Sequence, residues 1–314
     1  MSSADLTSLH ASDLHERLLF AIPKKGRLNE QVMTLLKGAD IQFYRKNRMD
    51  IALSTNHPIA LVFLPAADIP QFVADGNVDI GVTGQDMVAE AGVENGVDEL
   101  LRLGFGKCRL CVQVPVSSSF KSAKDLVGMR IATSFTGLVE RHFKELDQQV
   151  AKEKDLKSVE NPTIVKFLSG SVEASCTLGL ADAIVDLVES GETMHAAKLH
   201  DIETLLTTEA VLICNRNKHI MNPLIERVKR RIEGVIVAQK FVLCTYNVSR
   251  AKLVDAVKIT PGKKAPTISS LETEGWVAVS VMIQKNQAAD VMDELEDIGA
   301  QDILITQITN ARMN

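Results

Sequence analysis

One structural unit occurs twice in this sequence, and the repeat constrains the fold more than any other feature. Each copy opens with a short apolar strand, residues 18–22 or 129–133, and continues into a helical pattern. A glycine, Gly26 or Gly137, stands five residues after an alanine of the strand in both copies. These glycines lie where a strand turns into a helix, a place where backbone amides can face an anion.

The second half of the unit repeats as well. A further helical pattern runs up to Gly76 in the first copy and to Gly179 in the second, and glycine commonly terminates a helix. Three residues later an aspartate, Asp79 or Asp182, leads into another strand. Two such matches in the same order indicate an internal duplication.

Strands that alternate with helices predict an α/β fold with largely parallel sheets. We expect two lobes side by side, lobe 1 over residues 17–105 and lobe 2 over residues 106–222, with part of residues 190–215 packing back on lobe 1. Periplasmic binding proteins share this two-lobed architecture. Ligands of such sheets bind at the carboxyl ends of the strands, so the cleft between the lobes is the expected site.

The last third of the chain predicts a separate, smaller domain. Apolar residues at helical spacing predict a connecting helix over residues 223–240. Residues 241–314 then favour the order strand, helix, strand, strand, helix, strand. That order within about 70 residues is typical of a ferredoxin-like (ACT-like) domain.

Charge and composition exclude several classes of protein. The net charge is −5 and no long basic run occurs, which argues against a nucleic-acid-binding surface. No run approaches the roughly 18 apolar residues of a membrane span. Residues 1–16 lack the apolar core of a signal peptide, so we expect a flexible N-terminal arm and a cytoplasmic protein. Cys108 and Cys111 form a C-x-x-C without a second pair at ligand spacing, and we interpret them as packed thiols rather than a zinc or redox site.

The segment from Asp182 to Thr193 has the composition of a phosphate-plus-sugar site. Asp182 and Asp186 share one face of the predicted strand. Gly191 lets the backbone approach a ligand, while Ser190 and Thr193 can donate hydroxyls beside the start of the next helix. Carboxylates fit such a site when they meet ribose hydroxyls or a Mg²⁺ carried by pyrophosphate. The alternative is an ordinary helix cap with a strand-edge aspartate.

The same segment, residues 181–193, resembles the phosphoribosyl-pyrophosphate motif of ATP phosphoribosyltransferases, which catalyse the first step of histidine biosynthesis. Six other segments resemble this family in the same order: 24–28, 79–84, 105–109, 130–134, 170–173 and 264–267. The resemblance runs from about residue 17 to residue 309. A C-terminal domain is a feature of the family's long form, in which it binds histidine as a feedback inhibitor.

The resemblance implies a Mg²⁺-dependent displacement in which N1 of the adenine of ATP attacks C1 of the phosphorylated ribose and pyrophosphate leaves. It implies catalytic roles for Arg27, Glu173 and Asp182, with Asp182 also as the metal ligand. The implied substrate-binding residues are Lys25, Arg109, Thr133, Ser134, Asp186, Glu189, Ser190, Gly191, Glu192 and Thr193. No side chain stands out as a general base, and adenine N1 already carries a lone pair.

The resemblance also predicts regulation and assembly. Histidine is expected to bind around Ala265, Pro266 and Thr267, away from the cleft. The family suggests dimers that assemble into a hexamer, with ATP and phosphoribosyl pyrophosphate as the substrates. The turn after the second repeat strand departs from many relatives at Phe135 and Thr136, so neither residue is assigned a role.

Three alternatives share parts of this architecture. A solute-binding protein has two such lobes but is normally exported. An enzyme similar to prephenate dehydratase also carries a small regulatory domain, but it requires a Thr-Arg-Phe element where this chain has Thr133-Ser134-Phe135. The third alternative is a regulatory paralogue that has lost catalysis, and the acids and glycine of the 182–193 segment argue against it.

Overall fold

The computed structural model describes residues 14–45, 49–219 and 222–313, so most of the predicted N-terminal arm, residues 1–16, lies outside the described residues. The chain divides into two compact units. The first takes in residues 14–32 and 42–225, and the second takes in residues 33–41 and 226–313. Among the described residues, no helix combines the length and the apolar character that a bilayer span requires.

The elements of the described residues alternate along the chain. The strands are β1 (Leu18–Pro23), β2 (Ile51–Leu53), β3 (Ile59–Leu64), β4 (Ile80–Gly84), β5 (Val97–Arg102), β6 (Cys108–Pro115), β7 (Arg130–Thr133), β8 (Ile164–Phe167), β9 (Ala183–Val188), β10 (Leu199–Thr208), β11 (Ala210–Asn215), β12 (Phe241–Ser249), β13 (Thr267–Ser270), β14 (Trp276–Gln284) and β15 (Gln301–Gln307). The helices are α1 (Arg27–Gly38), α2 (Ile69–Ala74), α3 (Gln85–Ala91), α4 (Thr136–Glu153), α5 (Ala174–Thr177), α6 (Glu192–Ala196), α7 (Arg216–His219), α8 (Pro223–Ala238), α9 (Leu253–Ile259) and α10 (Ala288–Asp297).

The first unit contains two sheets, and each sheet organises one lobe. The sheet of lobe 1 has the order β2-β3-β1-β4-β11-β5, and the sheet of lobe 2 has the order β10-β6-β9-β7-β8. The chain passes from lobe 1 to lobe 2 between β5 and β6 and returns between β10 and β11. The returning strand β11 pairs antiparallel with both β4 and β5. The predicted fold class, an α/β protein with two lobes of the periplasmic-binding-protein type, is confirmed.

The sequence repeat is a structural repeat. In lobe 1, β1 lies parallel between β3 and β4, and in lobe 2, β7 lies parallel between β8 and β9. The aspartates of the repeat occupy matching positions, because Asp79 accepts the backbone N–H of Leu19 at 2.7 Å and Asp182 accepts that of Arg130 at 3.0 Å. Both carboxylates therefore hold the start of the neighbouring strand.

The core of lobe 2 shows why the sequence forms these elements. Val139, Phe143 and Leu146 recur at helical spacing along α4 and are buried against apolar residues of the strands, among them Leu110 and Val185. The burial of these three side chains fixes α4 on the sheet. The first turn of α4 then lies near the carboxyl end of β7. The structure thereby orients the amino end of α4 towards the edge at which ligands of parallel sheets bind.

One predicted helix is much shorter than the repeat suggests. The sequence favours a helix that leads into Gly179, but only α5 forms there. The preceding residues include Gly170 and Ser171, and Ser171 adopts a positive φ of 49° that a helix cannot contain. This irregular segment brings Glu173 to the N-cap position of α5.

The second unit contains the predicted ferredoxin-like domain. Its sheet has the order β13-β14-β12-β15, and all three pairs of neighbours are antiparallel. Buried side chains alternate along β12 and β14 and pack with apolar residues of α9 and α10. A tail beyond β15 is fixed inside this unit, because Asn310 donates to the backbone oxygens of Gly38 at 3.1 Å and Arg231 at 3.2 Å.

Candidate active site

A cavity of about 620 Å³ lies in the first unit and is lined by both lobes. Strand β4 of lobe 1 and strand β9 of lobe 2 deliver their last residues, Gly84 and Val188, to its wall. Lobe 1 adds Arg27 from the start of α1. Lobe 2 adds residues 189–193, which comprise the turn after β9 and the first two residues of α6 and are called the loop 189–193 here. The cavity thus occupies the carboxyl edge of both sheets, where ligands of α/β proteins bind.

The loop 189–193 presents backbone and hydroxyl groups to this cavity. Gly191 adopts a φ of 85°, a conformation that is strained for residues with a side chain. The hydroxyl of Ser190 accepts the backbone N–H of Glu192 at 3.4 Å, so it closes the turn before α6. Thr193 lies in the first turn of α6 and lines the cavity.

Acidic groups outnumber basic groups in the cavity wall. Among the described residues, the carboxylates that line it are Asp86, Glu173, Asp186, Glu189 and Glu192, and the cations are Arg27 and Lys107. Burial raises the pKa of Asp186, and the charge of Glu173 raises it further. A cavity with this balance does not neutralise a polyphosphate by itself, so a phosphate ligand requires an accompanying cation.

The carboxylates can contribute to a Mg²⁺ site that the ligand completes. Mg²⁺ prefers oxygen ligands and is commonly held by one or two carboxylates together with substrate phosphates. Glu173 and Asp186 both line the cavity, and the charge of Glu173 is one of the causes that raise the pKa of Asp186. No group of three or more histidine, cysteine, aspartate or glutamate side chains in the described part of the chain forms a complete metal site.

Arg27 and Glu189 form an ion pair across the cleft. The Nη1 of Arg27 lies 3.0 Å from Oε2 of Glu189. The two side chains are 86% and 61% exposed, so the pair contributes little to stability and can separate when a ligand arrives. Arg27 is therefore available to an anion in the cavity.

Asp182, for which the family resemblance implies a catalytic and metal-binding role, does not line the cavity. It precedes β9 and lies at the amino end of that strand, whereas the cavity is at the carboxyl end. Its carboxylate accepts two hydrogen bonds from the Arg130 guanidinium, at 2.8 and 3.0 Å, and one from the Arg130 backbone. Hydrogen bonding to Arg130 lowers the pKa of Asp182. In this structure the carboxylate of Asp182 holds the start of β7, as that of Asp79 holds the start of β1 in lobe 1.

Four predicted substrate-binding residues lie outside the cavity wall. Thr133 is fully buried, and its hydroxyl accepts the N–H of Phe135 at 3.0 Å; neither it nor Ser134 lines the cavity. The guanidinium of Arg109 is held by Asp201 at 2.9 Å. Lys25 is exposed and makes no hydrogen bond or ion pair with the described residues. The structure does not bring these four side chains to the cavity wall, and their substrate-binding roles stay predictions.

Asp86 is a cavity residue that the sequence analysis missed. It is buried in the first turn of α3, and burial raises the pKa of its carboxyl group. The hydroxyl of Thr208 donates to its Oδ1 at 2.8 Å and accepts its backbone N–H at 3.0 Å. A side chain at Gly84 would collide with Oδ1 of Asp86, which explains the glycine at the end of β4. Only Gln85 separates Asp86 from the family-like segment 79–84, and that proximity was the available signal.

Cys108 also lines the cavity, but its chemistry is that of a packed thiol. Burial raises its pKa to about 11, and the charge of Asp86 adds to the shift. A thiol with so high a pKa is protonated at neutral pH and is a poor nucleophile. Cys111 is fully buried, with its sulfur 3.5 Å from the hydroxyl oxygen of Thr204.

Comparisons with known proteins agree with the geometry of the cleft. Residues 65–234 match the family described as HisG, ATP phosphoribosyltransferase, and residues 238–310 match the HisG C-terminal domain. The ATP phosphoribosyltransferase of Saccharomyces cerevisiae is 52% identical over 96% of this chain and 98% of its own length. That of Yarrowia lipolytica is 53% identical over 96% of this chain and 99% of its own length.

A solved structure supports the same fold. A chain of the ATP phosphoribosyl transferase (HisG:HisZ) complex from Thermotoga maritima superposes with a TM-score of 0.59 at 24% identity, over 70% of this chain and 97% of that chain. The family matches set aside the alternatives of a solute-binding protein and of an enzyme similar to prephenate dehydratase. The chain therefore belongs to the ATP phosphoribosyltransferase family, the enzymes that transfer a phosphoribosyl group in the first step of histidine biosynthesis.

Proposed function

We propose that this cleft catalyses the Mg²⁺-dependent transfer of the phosphoribosyl group from phosphoribosyl pyrophosphate to N1 of the adenine of ATP. The observation that carries the proposal is the pairing of two kinds of surface around one cavity. Lobe 2 presents the loop 189–193 with Glu173 and Asp186, and lobe 1 presents Arg27 on the opposite side. One lobe then suits a phosphorylated sugar, and the other suits the phosphates of the second substrate.

The loop 189–193 is proposed to hold the 5-phosphate of the ribose. Gly191 allows close approach of the backbone, and the hydroxyls of Ser190 and Thr193 lie on the same loop. Asp186 and Glu173 would meet the ribose hydroxyls or the metal, because carboxylates are poor neighbours for an uncompensated phosphate. Glu189 and Glu192 complete the proposed sugar side of the site.

Mg²⁺ would supply the positive charge that the protein lacks here. When bound, it neutralises the pyrophosphate leaving group as the bond to C1 breaks. Asp186 and Glu173 would hold it beside the substrate phosphates, and Arg27 would move from Glu189 to a phosphate. The rate enhancement then comes from alignment and charge stabilisation.

The direction of electron flow explains why no general base is required for the displacement. The lone pair of adenine N1 forms the new bond to C1, and the electrons of the broken C1–O bond leave with pyrophosphate. The proton that the N1-substituted adenine later releases can pass to water. Positioning of the two substrates is therefore the main task of the protein.

The metal requirement gives a direct prediction. Enzyme that is incubated with both substrates and excess chelator is expected to make no phosphoribosyl-ATP, and added Mg²⁺ is expected to restore formation of product and pyrophosphate in equal amounts. The measurement is product formation by chromatography, with each substrate omitted in turn. Full activity in chelator would contradict the role given to the acidic cavity wall.

We further propose that histidine inhibits the enzyme by binding around Ala265, Pro266 and Thr267 in the second unit. Thr267 begins the exposed edge strand β13. Because β13 pairs with β14 through backbone hydrogen bonds, the exposed side chain of Thr267 can contact a ligand. Thr267→Val removes only the hydroxyl and is expected to raise the inhibitory concentration of histidine at least about tenfold, as loss of one hydrogen bond to a charged ligand does.

The matched control for the histidine site is Ser269→Ala, two residues along the same exposed strand. It should leave both inhibition and kcat/KM unchanged. Unchanged inhibition in Thr267→Val would show that histidine binds elsewhere. Equal loss of inhibition in the two variants would show that the effect is not specific to Thr267. Isothermal titration with histidine separates lost binding from lost coupling.

We propose that the enzyme is a homo-hexamer built from dimers, to be checked by light scattering at several protein concentrations.

We propose a cytoplasmic location. None of the five cysteines forms a disulfide, which suits a reducing compartment. Fractionation with a tagged chain tests this location.

A further inference from the structure

Helix α3 belongs to lobe 1, yet two of its carboxylates bond to lobe 2. Asp86 exchanges two hydrogen bonds with Thr208 at the end of β10. One helical turn later, Glu90 accepts the backbone N–H of Gly137 with Oε1 and that of Leu138 with Oε2, both at 2.8 Å. The same face of α3 therefore serves the cavity wall and a contact between the lobes.

The Glu90 contact has the features of a strong polar interaction. Gly137 and Leu138 lie in the first turn of α4, an 18-residue helix whose first amides have no partner within the helix. A carboxylate there satisfies two of these donors and interacts favourably with the positive end of the helix dipole. Both oxygens of Glu90 are used, so the contact fixes direction as well as distance.

A second interaction joins the same helices, with the charged side chain on α4 and the backbone group on α3. Arg141, one turn further along α4, donates from Nη2 to the backbone oxygen of Ala89 in the last turn of α3. A cation thus meets the carboxyl end of α3 while an anion meets the amino end of α4. We call the group formed by Ala89, Glu90, Gly137, Leu138 and Arg141 the α3–α4 contact.

The glycine of the repeat is part of this contact. A Cβ atom at Gly137 would lie only 2.8 Å from the backbone oxygen of Glu90, so the two helices approach as closely as they do because the residue is glycine. At the matching Gly26 of lobe 1, no atom lies within 4 Å of such a Cβ atom. The two copies of the unit have diverged: the turn of lobe 2 is filled by the protein's own carboxylate, and that of lobe 1 is open.

The position of the contact relates it to the active site. The lobes are joined by two connections, residues 103–107 and Glu209, and the first contains Gly104 and Gly106 with φ values of 81° and 66°. Two short connections of this kind permit hinge bending of two lobes. A bend that separated the lobes at α3 would also displace Asp86 from the cavity wall.

We propose that Glu90 is a positioning residue of this enzyme: by fixing α3 of lobe 1 to the first turn of α4 in lobe 2, it holds the two halves of the cavity at the separation that the reaction requires. The proposal rests on the proposed function, because it assigns one substrate to each lobe. Without the contact, the enzyme populates open forms in which neither substrate meets both lobes. The apparent affinity for both substrates then falls in proportion to the population of the closed form.

The test compares Glu90→Gln with Glu140→Gln. Glutamine keeps the shape of the side chain but places an amide NH₂ where one carboxylate oxygen accepts a backbone N–H. Glu140 is exposed on the same helix α4 and makes no hydrogen bond or ion pair with the described residues, so its replacement changes the net charge equally. Glu90→Gln is expected to raise KM for both substrates by about tenfold, with kcat within about threefold, because saturating substrates select the closed form.

Hydrogen exchange of the peptide that contains Gly137 and Leu138 reports on the contact without any assay of activity. These two amides are expected to exchange faster in Glu90→Gln and at the wild-type rate in Glu140→Gln. Faster exchange with both KM values unchanged would overturn the proposal, and so would a fall in kcat alone. If the wild-type protein makes no phosphoribosyl-ATP, the proposed function fails by itself, and the exchange result still shows whether Glu90 joins the lobes.

Arg141→Gln keeps the proposal testable if Glu90→Gln fails to fold. Arg141 is exposed, and this change removes the cation at the end of α3 while Glu90 remains in place. A parallel rise in KM for both substrates, smaller than about tenfold, is the expected result. Glu90→Asp keeps the carboxylate and serves as the second comparison, with exchange at Gly137 measured against the wild type. Unchanged KM values in a folded Arg141→Gln, together with faster exchange at Gly137 in Glu90→Asp, would show that the contact serves folding alone.

Discussion

Asp186→Asn is expected to lower kcat/KM by about a hundredfold, whereas Asp182→Asn is expected to leave it within about threefold. The two aspartates are four residues apart and undergo the same chemical change, but only Asp186 lines the cavity. Asparagine at position 186 removes the negative charge proposed to face ribose or Mg²⁺. At position 182 it disturbs only the pair with Arg130, at the other end of β9.

Thermal unfolding should show the opposite order for these variants. Asp182→Asn is expected to lower the free energy of unfolding by about 1 kcal/mol, since the Arg130 pair is partly exposed and the backbone N–H of Arg130 keeps a weaker acceptor. Because Arg130 lowers the pKa of Asp182, this stabilisation is present above the ordinary carboxyl pKa and is lost as the pH falls through the lowered value. Equal losses of kcat/KM in the two variants would return Asp182 to the active site.

The pH dependence of activity follows from the same carboxylate. Burial raises the pKa of Asp186, so in the free enzyme it ionises at a higher pH than an ordinary aspartate. If its charged form binds the metal or the ribose, kcat/KM falls on the acid side at a correspondingly raised pH, and saturating Mg²⁺ moves this limb to lower pH. The measurement is kcat/KM against pH at two Mg²⁺ concentrations, and an acid limb that does not respond to Mg²⁺ would count against Asp186 as a ligand.

Arg27→Met is the second prediction with a large expected effect. It is expected to lower kcat/KM by about a hundredfold, because a preorganised cation that faces a phosphate in a cleft contributes that order of rate. Stability should be nearly unchanged, since Arg27 is highly exposed and its pair with Glu189 is a surface ion pair. Steady-state kinetics with each substrate varied in turn will show which polyanion Arg27 meets.

Lys37→Met provides the control for Arg27. Lys37 is an exposed cation in the last turn of the same helix α1, so its replacement changes the net charge of the chain equally. Its kinetics should match those of the wild type. A loss of less than about threefold in Arg27→Met would mean that the cleft neutralises its phosphates without this residue.

The duplication in the sequence predicted more of the structure than any single motif. The order of elements around 18–22 and 129–133 implied two lobes, and the chain indeed builds two sheets with β1 and β7 at matching positions. The spacing of apolar residues and the positions of turn residues are local signals, and they suffice to predict the order of helices and strands. The same holds for the domain after residue 240, where the predicted order of strand, helix, strand, strand, helix, strand is the order of elements along the chain.

The cavity wall contains only some of the residues predicted for the site, and the geometry of β9 shows why Asp182 is not among them. Asp182 and Asp186 do share a periodicity, but Asp182 to Val188 spans a whole strand, roughly 20 Å, so the two ends of β9 face different surroundings. The repeat contained a signal for this difference, since Asp79 stands at the same position in lobe 1 and makes the same backbone contact. Asp86 was missed because an acid in the first turn of a helix is common, and only tertiary contact with Thr208 shows that it is buried.

The interaction between Glu90 and Gly137 could not be read from the sequence at all. The two partners are 47 positions apart in the sequence, and neither belongs to a motif that predicts a contact with the other. Backbone amides at the turn near Gly137 can face an anion, and in the structure that anion is Glu90 of the other lobe. Long-range pairing of this kind depends on how two lobes meet, which local patterns do not specify.

The most direct test of the central claim is the identity of the bond that the enzyme makes. The enzyme would be incubated with Mg²⁺, ATP labelled with ¹⁵N at N1, and phosphoribosyl pyrophosphate labelled with ¹³C at C1, and the product analysed by NMR. We expect a one-bond coupling between the labelled carbon and nitrogen, inverted configuration at C1, and one pyrophosphate per product. Release of pyrophosphate without that coupling, or a bond from C1 to any other atom, would contradict it.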